Sequence, residues 1–210
     1  MILLYKKWKY KSIKIEKSGK NSKQFIIYIE IFTILYYSKE RGVTMEKRDL
    51  YDKHKENTQF KILKEQEIPP NYYTLVVLAL IQNSKNEILV QKRSKPKGGE
   101  YGLTSGHPKS GENSLNGIIT EIKEELGVDA LPQDLKLMYS TRDDINRCFY
   151  DLYYLKKDYK EENMLLQKEE VDKVYWFSEE KINELCNNGE FKESHIEAFK
   201  ILMKKINGKY

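Results

Sequence analysis

The stretch GHPKSGENSLNGIITEIKEELGV, residues Gly106–Val128, contains the pattern that decides the fold. Apolar residues recur at helical spacing and form one stripe, made of Leu115, Ile118, Ile119, Ile122 and Leu126. Ser114 can cap the first free N–H groups of such a helix, and Gly127 is a natural stop at its other end. The stretch therefore predicts an amphipathic helix over Ser114–Leu126.

The polar side of this helix carries a cluster of carboxylates. Glu121, Glu124 and Glu125 stand at positions i, i+3 and i+4, so they share one face. Like charges at this spacing repel each other, and a bound divalent cation would turn that repulsion into ligation. Glu112, just before the helix, can join the group. Three glutamates on an outer helical face are usually a solvated surface, so the residues around them decide between the two interpretations.

Those surrounding residues resemble the Nudix box. That motif runs G, five residues, E, seven residues, R-E-apolar, one residue, E-E, one residue, G-apolar. The chain matches eight of its nine fixed positions, namely Gly106, Glu112, Glu121, Ile122, Glu124, Glu125, Gly127 and Val128. Thr120 stands where the family has arginine. The resemblance covers roughly residues 45–205, and it implies an α+β fold, the Nudix-type α/β/α sandwich with a mixed β-sheet.

The rest of this region fits such a fold, because strands and helices mix without strict βαβ alternation. Strands are predicted at Tyr73–Gln82, Glu87–Lys92, Leu135–Thr141, Cys148–Leu155 and Val171–Phe177, and further helices at Ser178–Asn188 and Glu193–Ile206. A turn cluster at residues 83–86 joins the first two strands into a hairpin. The charged segment at residues 46–70 ends in two prolines and leaves room for an N-terminal strand or hairpin.

The resemblance also implies an activity and a set of roles. Nudix enzymes are Mg²⁺-dependent hydrolases (Mn²⁺ is the alternative ion) that cleave a diphosphate bond in a nucleoside diphosphate derivative or a related small diphosphate. Carried over by position, Glu121 and Glu125 are metal ligands, and Gly106 offers its backbone carbonyl. Glu124 is either a third ligand or helps to deprotonate the attacking water. We therefore expect a pyrophosphohydrolase, with Glu124 and Glu121 as its catalytic residues.

The replacement of the family's arginine by Thr120 changes what is expected of Glu112. In the family, the arginine pairs with a box glutamate and steadies its carboxylate, and threonine cannot make such a charged pair. Glu112 is therefore either free to help bind the metal or held by Lys109 or Lys123.

Two residues outside the helix are candidates for binding the substrate. Arg93 follows a predicted strand, and a guanidinium fork suits phosphate oxygens. His107 could contact a substrate phosphate. The alternatives are a surface role for Arg93 and a loop-capping role for His107, while His195 is expected to serve packing or the surface.

The residues Ser105–Pro108 also resemble a Nudix-fold relative, isopentenyl-diphosphate isomerase. That enzyme has a catalytic cysteine where this chain has Ser105. It binds metal through a histidine at the position of His107, helped by further upstream histidines, for which only the distant His54 is available here. The isomerases also tend to lose the pair Glu124–Glu125. These differences favour a hydrolase. An alternative of another class is a non-catalytic Nudix-fold module that binds a nucleotide, and the complete set of carboxylates argues against it.

The first 44 residues differ from the rest of the chain. They carry ten basic and three acidic residues, whereas residues 45–210 carry 27 basic and 29 acidic ones, so the domain itself has no charge excess suited to nucleic acid. The apolar run Phe25–Tyr37 contains Glu30 and is shorter than the roughly 20 residues of a membrane span. Lys39–Gly42 can be encoded by a purine-rich run that resembles a ribosome-binding site. We expect residues 1–44 to be an extension that is disordered or absent from the native protein, with Met45 as its start, and residues 45–210 to be the Nudix domain.

The two cysteines, Cys148 and Cys186, lie in no metal-binding pair. Two unpatterned thiols are typical of a reducing cytosol, so we expect a cytoplasmic protein. Its expected partner is a small-molecule diphosphate, without nucleic acid or membrane, and a homodimer remains open.

Overall fold

The computed structural model describes residues 46–208, so the expected N-terminal extension at residues 1–44 lies outside the described residues. The described part begins with a hairpin. Strands β1 (Lys47–Tyr51) and β2 (Asn57–Leu63) pair antiparallel in a two-stranded sheet of their own. Of the strand or hairpin for which the sequence left room before the two prolines, the structure shows the hairpin.

A seven-stranded sheet forms the centre of the domain. Its strands are β3 (Thr74–Gln82), β4 (Ile88–Arg93), β5 (Tyr101–Gly102), β6 (Thr104–Gly106), β7 (Leu135–Asp143), β8 (Cys148–Lys156) and β9 (Val171–Phe177). Five of them lie in the order β5-β4-β3-β8-β7, while β6 pairs with β3 and β9 pairs with β4. Strands β3 and β8 run parallel and the other pairs are antiparallel, so the sheet is mixed, as predicted.

Three helices within residues 46–208 cover the two faces of this sheet. Helix α1 (Ser114–Leu126) packs on one face, and α2 (Glu179–Asn187) and α3 (Glu193–Ile206) pack on the other. Alternate residues of β3 serve the two faces, since a strand points successive side chains to opposite sides. Val77 belongs to the apolar cluster of α1, and Leu78 belongs to the cluster of α2 and α3. The α/β/α sandwich is confirmed, and none of the helices within residues 46–208 is long and apolar enough to cross a bilayer.

The predicted hairpin of β3 and β4 opens directly after its turn. Gln82 and Ile88 form the one registered pair between the two strands. Further along, β3 pairs with β6, and β4 pairs with β9 and β5. The sheet therefore divides between β3 and β4, and β6 brings Ser105 and Gly106 to this division.

The ends of α1 show one success and one error of the sequence prediction. Gly127 ends the helix as predicted, with a left-handed φ of 70° and its N–H donated to the Lys123 carbonyl. The N-cap is Asn113, whose side chain accepts the Asn116 N–H at 2.8 Å, so the predicted cap at Ser114 was wrong by one residue. Ser114 is the first helical residue, and its hydroxyl instead accepts a hydrogen bond from the Tyr153 phenol at 2.9 Å.

Candidate active site

The site begins where helix α1 passes the end of β6. The carboxylate of Glu121 lies against the backbone of Gly106, so closely that a Cβ at position 106 would overlap with it. A glycine is therefore required here by the approach of the glutamate, and not by its own backbone angles. The structure thus brings together two residues that the motif assigned to the metal.

Glu125 is buried one turn further along α1, with 4% of its surface exposed. Its Oε2 accepts a hydrogen bond at 2.8 Å from the Gln91 side chain, which also donates to the Thr104 hydroxyl at 3.0 Å. The backbone N–H of Ser105 donates to the same carboxyl group. Burial raises the pKa of Glu125 to about 7, although the Gln91 hydrogen bond opposes the rise. Residues of β4 and β6 therefore fix this carboxylate in place.

Glu121 receives no hydrogen bond from any residue in the range 46–208. Burial raises its pKa to about 8, and the nearby charges of Glu125 and Glu124 add to the rise. A largely desolvated carboxylate without a hydrogen-bond donor favours either a proton or a cation beside it. Oxygen ligands of this kind suit the hard ion Mg²⁺, so the Glu121–Glu125 pair, together with the Gly106 backbone, fits the metal that the motif implies.

The other two box glutamates are engaged with different partners. Glu124 forms an ion pair with the Lys109 ammonium group and keeps 42% of its side chain exposed. Glu112 accepts the backbone N–H of Lys109 at 2.8 Å on one oxygen and the Thr120 hydroxyl at 2.7 Å on the other. Thr120 therefore holds Glu112 through a neutral hydrogen bond where an arginine would hold it through a charged one.

In this arrangement the predicted metal ligands do not all lie together. Within residues 46–208, no three acidic, histidine or cysteine side chains converge as a ready cation site. Glu121, Glu125 and Gly106 are together, whereas Glu124 faces Lys109 and Glu112 faces Thr120. The assignment of all five to metal binding stays a prediction.

The two predicted substrate-binding residues, Arg93 and His107, lie at the ends of β4 and β6, the strands that contact the carboxylates. Arg93 ends β4, donates its Nε to the Lys97 carbonyl at 3.2 Å, and is near enough for its charge to lower the pKa of Glu125. His107 follows β6, and burial lowers its pKa to about 3, helped by the positive charges of Arg48 and other nearby cations. His107 is therefore a neutral ring at ordinary pH, able to hydrogen-bond a substrate but not to pair with it as a cation.

Two cations beside the site had no signal in the sequence. The charge of Arg48, on β1, acts on both Glu121 and His107. Its buried Nε has no hydrogen-bond partner in the described part of the chain. Lys192 precedes α3, acts electrostatically on Arg93 and Glu125, and forms no side-chain ion pair with any residue between 46 and 208. Both residues reach the site only through tertiary packing, which a motif does not report.

Comparison with known proteins identifies relatives of the whole domain. A family model described as the NUDIX domain matches residues 72–199. An uncharacterized Nudix hydrolase of Listeria innocua is 32% identical over 151 residues, which span 70% of this chain and 88% of the relative. A second uncharacterized Nudix hydrolase, from Listeria monocytogenes, is 31% identical over 153 residues with the same coverage of both chains.

Solved structures give a matching result for the fold. DR0079 from Deinococcus radiodurans superimposes with a TM-score of 0.61 at 21% identity, covering 74% of this chain and 98% of that one. The NUDIX domain of Shewanella oneidensis NrtR, solved in complex with ADP ribose, gives a TM-score of 0.52 at 15% identity. It covers 64% of this chain and 88% of that domain. At these identities the likeness shows a shared fold.

Proposed function

We propose that this chain, which belongs to the Nudix family, is a Mg²⁺-dependent hydrolase that cleaves a diphosphate bond in a nucleotide-derived small molecule. The observation that supports this most is the carboxylate pair, the buried Glu125 and the partly buried Glu121, held against the backbone of Ser105 and Gly106. Placing two acidic groups with so little solvent around them is unfavourable near neutral pH unless a proton or a cation offsets their charge, and a cation does so while both stay ionised.

The contacts of each residue indicate the role that we propose for it in the reaction. When bound, Mg²⁺ supplies positive charge that offsets the negative charge of the diphosphate. Glu125, fixed by Gln91 and the Ser105 N–H, and Glu121, in contact with Gly106, would hold the ion. Lys109 and Thr120 hold the loop in front of α1 against the helix through Glu124 and Glu112.

Glu124 is the candidate for the proton transfer. Water attacks one phosphorus atom, the bridging P–O bond breaks, and the proton of the water passes to a carboxylate before it reaches solvent. Of the three glutamates of α1 that share a face, Glu124 is the one that stays substantially exposed to solvent. Arg93 and Lys192 place positive charge near Glu125, where it can act on the phosphates of a substrate.

The first substrates to test are nucleoside diphosphates linked to a second group, with ADP ribose at the head of the panel. ADP ribose is bound by the NrtR domain that shares this fold.

A cytoplasmic location is part of the same proposal, since Cys148 and Cys186 are both free thiols and nucleotide-derived substrates are abundant in the cytosol.

The test is a panel of purified diphosphates with Mg²⁺, including ADP ribose, dinucleoside polyphosphates and isopentenyl diphosphate. We expect release of a nucleotide product and a loss of about 100-fold or more in kcat/KM for Glu125→Gln. The matched control is Glu197→Gln, since Glu197 lies exposed on α3, away from the carboxylate pair. Tight binding without product would instead indicate a nucleotide-binding module, and an isomerised isoprenoid product would indicate an isomerase.

A further inference from the structure

The ring of His195 is buried beside the active site and takes no part in the reaction described above. It lies in the first turn of α3 with 4% of its surface exposed. Its Nδ1 accepts the backbone N–H of Leu103 at 3.1 Å. A Cβ on Gly102 would lie 3.0 Å from the same nitrogen, so the imidazole packs directly on the backbone between β5 and β6. These contacts leave the ring little freedom to turn.

The Leu103 contact fixes the tautomer of the ring. An N–H group that points at Nδ1 requires a lone pair on that nitrogen, so the proton of the neutral ring sits on Nε2. Burial lowers the pKa of His195 well below its ordinary value, and the charges of Lys192 and Arg93 add to the effect. The ring is therefore neutral at ordinary pH.

Nε2 faces the hydroxyl oxygen of Ser105 at 3.1 Å. Since Nε2 carries the proton, His195 donates and Ser105 accepts. Such a histidine cannot remove a proton from the serine, so the pair does not work as a nucleophile and its base. The hydroxyl proton of Ser105 then needs an acceptor of its own, and no residue between 46 and 208 provides one.

The position of Ser105 indicates what that acceptor is. Its backbone N–H binds Glu125, and the next residue, Gly106, contacts Glu121. The side chain is partly exposed at the division between β3 and β4. We propose that the Ser105 hydroxyl donates a hydrogen bond to an anionic phosphate oxygen of the substrate, and that His195 is the positioning residue that orients it. The identity of the ligand as a diphosphate rests on the proposed function, whereas the orientation of the hydroxyl does not.

The tautomer can be measured without any activity. Long-range ¹H–¹⁵N correlation spectra of labelled protein distinguish the two nitrogens of each ring, and the His195 signals are assigned by their loss in His195→Gln. We expect a neutral ring protonated on Nε2 that does not titrate between about pH 5.5 and 8.5. A ring protonated on Nδ1, or one that titrates in this range, overturns the proposal.

Binding is measured with methylenebisphosphonate, a diphosphate analogue that cannot be hydrolysed, by calorimetry in the presence of Mg²⁺. Ser105→Ala should weaken binding about tenfold, because a hydrogen bond to a charged acceptor is lost. His195→Asn should weaken it to a similar degree, since its amide can still accept the Leu103 N–H but falls short of Ser105. His195→Gln, whose amide nitrogen reaches the place of Nε2, should recover most of the affinity.

The double variant Ser105→Ala with His195→Asn should bind no more weakly than Ser105→Ala alone, because the two residues act through one hydroxyl. His54→Gln, in the exposed turn between β1 and β2, is the matched histidine control. Equal affinity of Ser105→Ala and wild type for the analogue overturns the proposal even if the enzyme is active. Absence of turnover on every diphosphate, with binding of the analogue still dependent on Ser105, refutes the hydrolase and leaves this inference standing.

Discussion

Replacing Glu121 by glutamine should make the metal-free protein more stable while it abolishes metal binding. A carboxyl group whose pKa is raised on folding holds its proton more tightly in the folded state. Its charge therefore penalises folding as the pH rises above the ordinary value of 4.5, and the full penalty is reached above about 8. This is the reverse of a salt-bridged carboxylate, which stabilises the folded state as the pH rises.

The size of the effect follows from the same two values. At about 1.4 kcal/mol for each tenfold change, a pKa raised from 4.5 to about 8 corresponds to about 5 kcal/mol at alkaline pH. Glu121 keeps partial contact with water, which reduces this figure. We expect Glu121→Gln to raise the free energy of unfolding by about 2–3 kcal/mol near pH 7.5, and by less than about 1 kcal/mol near pH 5.5.

The assay is urea unfolding followed by tryptophan fluorescence in EDTA at several pH values. Wild type should lose stability between about pH 5.5 and 7.5, and the advantage of Glu121→Gln should grow over the same range. Glu197→Gln, on the exposed side of α3, should change neither. When Mg²⁺ is added at about ten times its dissociation constant, wild type should gain about 1.4 kcal/mol and Glu121→Gln should gain almost nothing.

Two results would refute this reasoning about the carboxylate pair. If Glu121→Gln were less stable than wild type near pH 7.5, the carboxylate would have to receive hydrogen bonds from donors not found among residues 46–208. If the difference between the two proteins did not depend on pH, the charge of Glu121 would not be the cause of the penalty.

Two further substitutions test how the box is held. Thr120→Ala should lower the free energy of unfolding by about 1 kcal/mol and reduce turnover, because Glu112 loses one of its two donors, whereas Thr120→Arg should keep kcat within about twofold of wild type. Urea unfolding and steady-state kinetics check both variants, and a several-fold rise in kcat for Thr120→Arg would mean that the neutral hydrogen bond holds Glu112 poorly. Gly106→Ala should remove most of the stabilisation by Mg²⁺, since the added methyl group occupies the place of the Glu121 carboxylate. Thermal unfolding with and without Mg²⁺ measures this, and the same Mg²⁺-induced rise in Tm as in wild type would show that the carboxylate moves aside without losing the metal.

Local patterns predicted the elements well because local forces set them. The limits of α1 follow from its apolar stripe and from Gly127, and both are visible in the sequence. The error at its start has a tertiary cause: Ser114 is a good cap by itself, but Tyr153 binds its hydroxyl and Asn113 takes the cap position. The division of the sheet between β3 and β4 was also missed, because it depends on which strands meet later in the chain.

The candidate site was predictable to a similar depth. The motif gave the glutamates, and helical spacing placed Glu121 and Glu125 on one side of α1. The same spacing placed Glu124 near them, and its charge does act on Glu121, but its ion pair with Lys109, which lies in the loop before the helix, was not predicted. Which charged side chains pair depends on the distances between chain segments, and neither helical periodicity nor a motif gives those distances.

Hairpin β1–β2 shows why the domain match alone describes the site incompletely. The family model begins at residue 72, after the hairpin has ended. Yet Asp49 of β1 is buried and accepts hydrogen bonds from the Ser110 hydroxyl at 2.7 Å and the Gly111 N–H at 3.0 Å. These bonds fasten the hairpin to the loop in front of α1 and so carry Arg48, the residue before Asp49, to within electrostatic reach of Glu121. A guanidinium group beside a carboxylate that we propose to bind a metal would compete with that metal and attract an anionic substrate. The hairpin therefore affects the charge balance of a site whose motif lies elsewhere in the sequence.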